Sequence, residues 1–480
     1  MHFDHHFVQE LSALGAITPI SPLSDSRVIA INQGLLESLQ LPEAWFQHDT
    51  LVDNLYNPEH PLVRNSFAQK YGGHQFGAWN PDLGDGRGLL LGHTRDANQQ
   101  PVDLHLKGAG PTPYSRFGDG RAVLRSTLRE YLASEAMHHL GIPTSRALAL
   151  ITSNHPVQRE QTEPGAMLIR TCPSHIRFGH FEYFAHSRQP ELLERLFQYT
   201  FTHHCDQLTT GENAHHALLS DITQRTARLV AHWQSVGFVH GVMNTDNMSI
   251  HGITFDYGPY AFMDACEPGM ISNHSDPNGR YAYDKQPGIA LWNLNALAHG
   301  FTSYLDVDGI TEALQQFEPT LQQHYAQLMA NKLGLSKLHG DDFSLLNDLL
   351  TLMAREGADY THTFRRLAGI EPHRASHEFC DRFVDRSAAQ HWVSRYQQRL
   401  LNDPIDPTTR QATMGLANPV VVLRNHHAQT VIEAAYQGDF EPFQRLLATL
   451  QNPFDEQHSS AEFAQPPPTE NANMKLSCSS

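Results

Sequence analysis

Polar and apolar residues alternate through Val102-Asp103-Leu104-His105-Leu106-Lys107, which predicts a strand with Val102, Leu104 and Leu106 on one face and Asp103, His105 and Lys107 on the other. Short apolar runs at 28–31, 145–152 and 166–171 predict further strands, and Leu89-Leu90-Leu91 is another apolar run. Between them the period lengthens to that of a helix. Leu124, Leu128, Leu132 and Met137 fall near one stripe, and Gly141 with Pro143 supplies the stop. From Pro190 helical spacing dominates, first to Gly237, where glycine ends the helix, and then from Pro287 to about 450. No fixed-period repeat is present, so the helices form one unit rather than a solenoid. Strands gathered before about 185 and helices after it predict an α+β chain in four parts. These are a packing extension at 1–70, a strand-rich part with glycine-rich loops at 71–185, a mostly helical part at 186–450, and a polar, Pro-Pro-Pro-containing tail at 451–480.

Composition narrows the function. A net charge of −17, from 34 Lys+Arg against 51 Asp+Glu, argues against non-specific binding to nucleic acid or an anionic membrane. No apolar stretch reaches the roughly 20 residues that span a bilayer, and the first residues lack the pattern of a secretory signal. Five cysteines without zinc spacing predict a cytoplasmic protein with mostly reduced thiols. The 32 histidines are scattered, several as adjacent pairs that do not share a helix face, and read as ordinary polar residues.

The candidate chemistry centres on His240–Gly258, HGVMNTDNMSIHGITFDYG. Asp246 and Asn247, followed by Asp256 in an Asp-Tyr-Gly turn, offer oxygen ligands for a hard divalent cation. The stretch has the outline of a protein-kinase catalytic loop and its metal-binding turn, except that Val242 stands where the kinase base would be. Upstream, Gly84-Asp85-Gly86-Arg87-Gly88 and the loop reaching Asp119-Gly120-Arg121 are glycine-rich turns suited to phosphate oxygens. Lys107 ends a strand after the first of these, as the ATP-orienting lysine of a kinase does. Glu130 is its candidate partner on the following helix, with Glu135 a competitor. Arg170 and Arg177 add charge that a kinase does not normally place there.

From NPDLGDGRG and HLKGAGPTPYSRFGDGRA through HGVMNTDNMSI and FDYGP to the terminal SCSS, the chain resembles the selenoprotein O family of kinase-fold protein adenylyltransferases. That resemblance implies a two-lobed kinase-like fold with an N-terminal extension and an enlarged helical C-lobe. It implies a nucleotide bound in inverted orientation, with AMP transferred from ATP to Ser, Thr or Tyr hydroxyls of proteins and pyrophosphate released. Asp246 would be the catalytic base, and Asn247 and Asp256 would hold Mg²⁺ or Mn²⁺. Glu130 would orient Lys107; Gly84, Gly86, Arg87, Asp119 and Gly120 would contact the nucleotide, and Arg170 and Arg177 would face its γ-phosphate. Bacterial relatives also link the family to UMP transfer from UTP with Mn²⁺. Cys478 matches the family's redox position, but the family pattern places its partner cysteine directly before Asn-His-Ser-Asp, where this chain has Ser272. Cys266 is the nearest substitute. Two other readings stay open: a conventional kinase-fold phosphotransferase, against which Val242 and the extra arginines count, and a non-catalytic pseudokinase scaffold, against which the intact Lys107, Asp246, Asn247 and Asp256 count.

Overall fold

The computed structural model describes residues 3–208, 213–457, 462–468 and 473–476. It is a mixed α/β molecule. Its principal sheet is antiparallel, in the order β1 (Gly15–Ile17), β3 (Phe67–Gln69), β6 (Gly88–Arg95), β7 (Pro101–Lys107), β10 (Thr162–Cys172), β9 (Arg146–Gln158) and β2 (Arg27–Ile31). An eighth strand, β8 (Ala122–Val123), pairs with β10. A separate hairpin joins β4 (Gly73–Gln75) to β5 (Ala78–Asn80). Residues 1–70 thus do more than pack on a finished sheet, because β1 and β2 form its two ends.

The uninterrupted apolar run Leu89-Leu90-Leu91 has a simple cause: both faces of the sheet are covered. Leu89, Leu91, Leu104, Leu106, Met167 and Ile169 pack with Leu35, Leu36, Phe46, Leu51 and Leu55 from the first sixty residues. Leu90, Leu150, Ala166 and Leu168 face the other way, towards α1 (Leu124–His139). Helix α1 is buried nearly all round rather than along one stripe, since α5 (Asn425–Tyr436) and α6 (Glu441–Leu450) cover the side turned away from the sheet. Its buried polar residues are matched. Arg129 donates to Asn425 Oδ1 and the Tyr260 carbonyl, while Glu135 accepts a two-pronged contact from Arg146.

Beyond the sheet, α2 (Phe178–His186) leads into the helical part, where α3 (Ala214–Ser235) packs along α4 (Phe317–Leu333). Gly237, at φ +68°, turns the chain out of α3 into β11 (Phe238–Val239). This strand pairs with β12 (Ala261–Phe262), and the pair grips both ends of the 240–260 loop. Several histidines expected to be ordinary polar residues are deeply buried, among them His93, His105, His175, His180 and His240. No helix among the described residues is long and apolar enough to cross a membrane.

Candidate active site

Strand register builds one wall of the site. His105 on β7 pairs with Arg170 on β10, and Lys107 pairs with Gly88 on β6. The period of two then places Lys107, His105 and Arg170 on one face. That face meets the 240–258 loop across a cavity of about 710 Å³. Gly84, Gly86, Arg87, Lys107, Asp119, Gly120, Arg170, Arg177, Asp246, Asn247 and Asp256, dispersed along the sequence, all line it.

The centre is a four-residue ionic cluster. Lys107 Nζ donates to Glu130 Oε2 at 2.5 Å and to Asp256 Oδ1 at 2.6 Å. Arg170 bonds Glu130 Oε1 through Nε and reaches Asp256 Oδ1 through Nη2 at 3.1 Å. Arg87 stands 3.8 Å from the other Asp256 oxygen. Of the two candidate glutamates, then, Glu130 faces Lys107, while Glu135 is committed to Arg146 and Asn32. Desolvation alone would raise the Asp256 carboxyl, but Lys107, Arg170 and Arg87 outweigh it and hold the group well below the usual carboxylate range. Burial lowers Lys107 below an ordinary lysine despite its two carboxylates. Two cations balanced by two carboxylates leave the buried cluster near neutral, with an anionic carboxylate at its open end. Asp256, still 30% exposed, forms that end.

Arg177 occupies a different position from Arg170. Its guanidinium lies between the rings of Tyr71 and Phe255, 4.8 and 4.4 Å from their centroids. It donates to the Asp246 carbonyl at 2.7 Å, and its Nε is buried without a partner among the described residues. The nearest carboxylate is Asp85, at 3.8 Å. Asp85 accepts from the Gln69 amide and the Tyr71 hydroxyl and faces His105 at 3.3 Å. Desolvation opposes its ionisation, but His105, Arg177 and the backbone donor prevail and hold its carboxyl low.

The 240–258 loop is fixed from within. His240 Nε2 meets Thr254 Oγ1 at 2.7 Å, and Asn247 Nδ2 donates to the Val242 carbonyl at 3.0 Å, leaving Oδ1 as the remaining side-chain acceptor. Asp246 Oδ1 is buried and has no partner among the described residues. Desolvation pushes the Asp246 carboxyl up to about 6, with Arg177 pulling the other way. Apolar Val242 lines the same cavity. A carboxylate with an unused acceptor can take a hydroxyl proton; Val242 cannot.

The two glycine-rich loops pack on each other. A Cβ on Gly86 would sit 2.9 Å from the Tyr114 carbonyl oxygen, and one on Gly120, at φ +68°, 2.1 Å from Gly110. Asp119 lies at the rim, paired with Arg159 at 2.8 Å. Sequence reasoning passed over Arg159, Asp85 and His105. Nothing in the spacing of Arg159 distinguishes it from a surface arginine, whereas Asp85 sat in plain view inside the first loop. Cys478 lies outside the described residues. Cys266 is a buried thiol with Sγ 3.9 Å from the Leu350 carbonyl, and Leu476, two positions before Cys478, pairs through its backbone with Ser272 and His274.

Lys107, Arg170 and Arg177 thus share one cavity with the side chains of Asp246, Asn247 and Asp256. The family model described as "Protein adenylyltransferase SelO" matches residues 1–451. The chain is 52% identical over 480 residues to "Protein nucleotidyltransferase YdiU" of Pseudoalteromonas atlantica, with 100% of both chains covered. It is 48% identical to the proteins of the same description from Pectobacterium atrosepticum and Yersinia pseudotuberculosis, with 100% of this chain and 99% of each relative covered. The chain belongs to the SelO/YdiU family. It is a protein nucleotidyltransferase, with a nucleotide and a protein as its substrates.

Proposed function

We propose that the protein transfers AMP from ATP to Ser, Thr or Tyr hydroxyls of proteins, within a kinase-like arrangement of two lobes. In this reading residues 71–185 form the N-lobe, 186–450 the C-lobe, 1–70 an extension and 451–480 a tail. The observation that carries the proposal is the pairing of an apolar Val242 with an Asp246 carboxylate whose Oδ1 has no partner among the described residues, in a cavity whose inner wall is Lys107, Arg170 and Arg177. The inner cations suit the β- and γ-phosphates, which leaves the α-phosphate towards Asp246. The substrate hydroxyl oxygen bonds to the α-phosphorus, the bond from that phosphorus to the bridging oxygen breaks, and pyrophosphate leaves. Asp246 accepts the hydroxyl proton. Glu130 holds Lys107 and Arg170 in place, and the loops at Gly84–Arg87 and Asp119–Gly120 close over the nucleotide.

Asn247 and Asp256 are hard oxygen donors on one side of the cavity, which fits Mg²⁺ or Mn²⁺. When bound, such an ion supplies neutralisation of phosphate charge. The experiment uses ATP labelled at the α- or the γ-phosphorus with a mixture of protein acceptors. Transfer of the α-label alone supports AMP transfer; transfer of the γ-label returns the chain to phosphotransfer. α-Labelled UTP with Mn²⁺, run in parallel, decides the base.

A further inference from the structure

On the outer side of the catalytic loop, the β4–β5 hairpin rests on α2. The contact includes the Gly72 amide, which donates to the Gly179 carbonyl at 3.1 Å. At its edge His74 from the hairpin meets Glu182 and His186 from the helix. Glu182 and His186 are four residues apart and so share one helical face. One ligand atom from each of the three residues lies within 4.8 Å of the other two. Glu182 has no exposed side-chain surface. Its Oε2 contacts His74 Nδ1 at 2.5 Å, and its Oε1 is buried without a hydrogen-bond partner among the described residues. A buried carboxylate with one imidazole neighbour and an idle oxygen is short of positive charge.

His186, by contrast, is exposed and opens the cluster to solvent. The rings of Trp79 and Trp292 flank it: Trp79 lies 4.3 Å from His186 and Trp292 5.1 Å from His74, centroid to centroid. Two imidazoles and one carboxylate, held on a helix and a hairpin and walled by aromatic rings, match the donor set of a three-ligand tetrahedral site with water in the fourth position.

We propose that His74, Glu182 and His186 form a second divalent-cation site, of the Zn²⁺ class, separate from the nucleotide cavity. Its donors differ in kind from Asn247 and Asp256, so the two sites prefer different ions: imidazole favours zinc and cobalt, all-oxygen ligands magnesium. The ion ties the hairpin to α2. The hairpin in turn holds the catalytic loop, because the His74 amide donates to Thr245 Oγ1 at 2.7 Å and the Phe76 amide to Asn244 Oδ1 at 3.3 Å. The site is thus a staple behind the loop that carries Asp246.

The test is titration of the full-length, chelator-stripped protein with Co²⁺, followed by Zn²⁺, with no nucleotide present. The expected result is one equivalent of Co²⁺ with the visible bands of tetrahedral coordination, displaced by Zn²⁺. His186→Ala, an exposed position where folding is readily verified by its melting curve, should weaken this binding at least about 100-fold. Asp256→Ala should leave it intact. No tetrahedral Co²⁺ in the wild-type protein, or equal binding by His186→Ala, overturns the proposal. Loss of the signal in Asp256→Ala with retention in His186→Ala also overturns it, by returning the ion to the nucleotide cavity.

Discussion

Lys107 Nζ lies 2.5 Å from Glu130 Oε2 and 2.6 Å from Asp256 Oδ1, so one ammonium joins a strand, a helix and the loop after β11. Removing either partner leaves charge in a place with little water. Lys107→Met is expected to lower kcat/KM for transfer by about 10²–10³-fold, the cost of losing one preorganised electrostatic donor. Glu130→Gln keeps the volume but frees Lys107 and Arg170 to pair with Asp256 alone. It should cost less than Lys107→Met and act mainly on kcat. Steady-state kinetics on both variants check the order, and equal losses in KM alone would contradict it.

Asp246 and Asp256 sit in the same loop but have opposite electrostatic settings. Asp246→Asn is expected to lower kcat by about 10²–10⁴-fold, as loss of a general base does, with nucleotide affinity kept within a few-fold. Asp256→Ala should abolish transfer and weaken nucleotide binding in the presence of the divalent ion. Isothermal titration with a non-hydrolysable nucleotide separates the two. Identical binding losses would remove the distinction of roles.

Arg170 and Arg177 were both legible as surplus positive charge, and so were the strand of Lys107 and the helix of Glu130, because alternation and helical stripes survive in a sequence. The choice of Glu130 over Glu135 came from the family resemblance and not from spacing. Five residues separate them, and only the seating of α1 against β9 turns Glu135 towards Arg146. Burial of His105 and Asp85 was hidden for a similar reason. Their strand and loop read as half-exposed until the second glycine-rich loop folds over the first. The edge strand β1 was missed because three residues give no period, and its place is fixed by pairing with β3 at Gly15 and Gln69. The Glu182–His186 spacing was present in the chain, but His74 comes from more than a hundred residues away.

Arg170 reaches Asp256, whereas Arg177 is held between two rings beside Asp85. Arg170→Ala should therefore weaken ATP binding much more than AMP binding, since its place is with the outer phosphates of the nucleotide. A loss of about tenfold or more in the ratio of the two affinities is expected. Equal weakening of ATP and AMP would mean that the arginine acts only through Glu130.

Lys332 offers a test of stability apart from the site. It is buried in α4 with its ammonium 4.7 Å from the Phe364 ring centroid, and burial pushes it down to about 7. A lysine held below its unfolded value favours the neutral form in the folded state. Stability is therefore lost as pH falls from the unfolded pKa, near 10.5, to the folded one, and the full cost is present below about 7. Lys332→Met should raise the melting temperature at pH 6.5, by up to a few kcal/mol in stability, with little gain near pH 10. Thermal melts at the two pH values check this, and a gain independent of pH would contradict it.

The segment 473–476 docks through backbone and side-chain hydrogen bonds. The Leu476 amide donates to the Ser272 carbonyl at 2.9 Å, and the His274 amide to the Leu476 carbonyl at 2.7 Å. Asn425 Nδ2 holds the Met474 carbonyl at 3.0 Å, and Asp264 and Asn473 exchange two further bonds at 3.0 and 3.1 Å. Truncation after residue 472 should speed amide exchange at His274 and Asp264 and leave β7 and β10 unchanged. Unaltered exchange at His274 would contradict the docking.

The most direct test of AMP transfer is the intact mass of the protein and an acceptor protein after incubation with ATP and Mg²⁺ or Mn²⁺. An adduct of AMP mass, absent with Asp256→Ala, is the predicted result. An adduct of phosphoryl mass would contradict the inverted nucleotide and make the chain a conventional kinase.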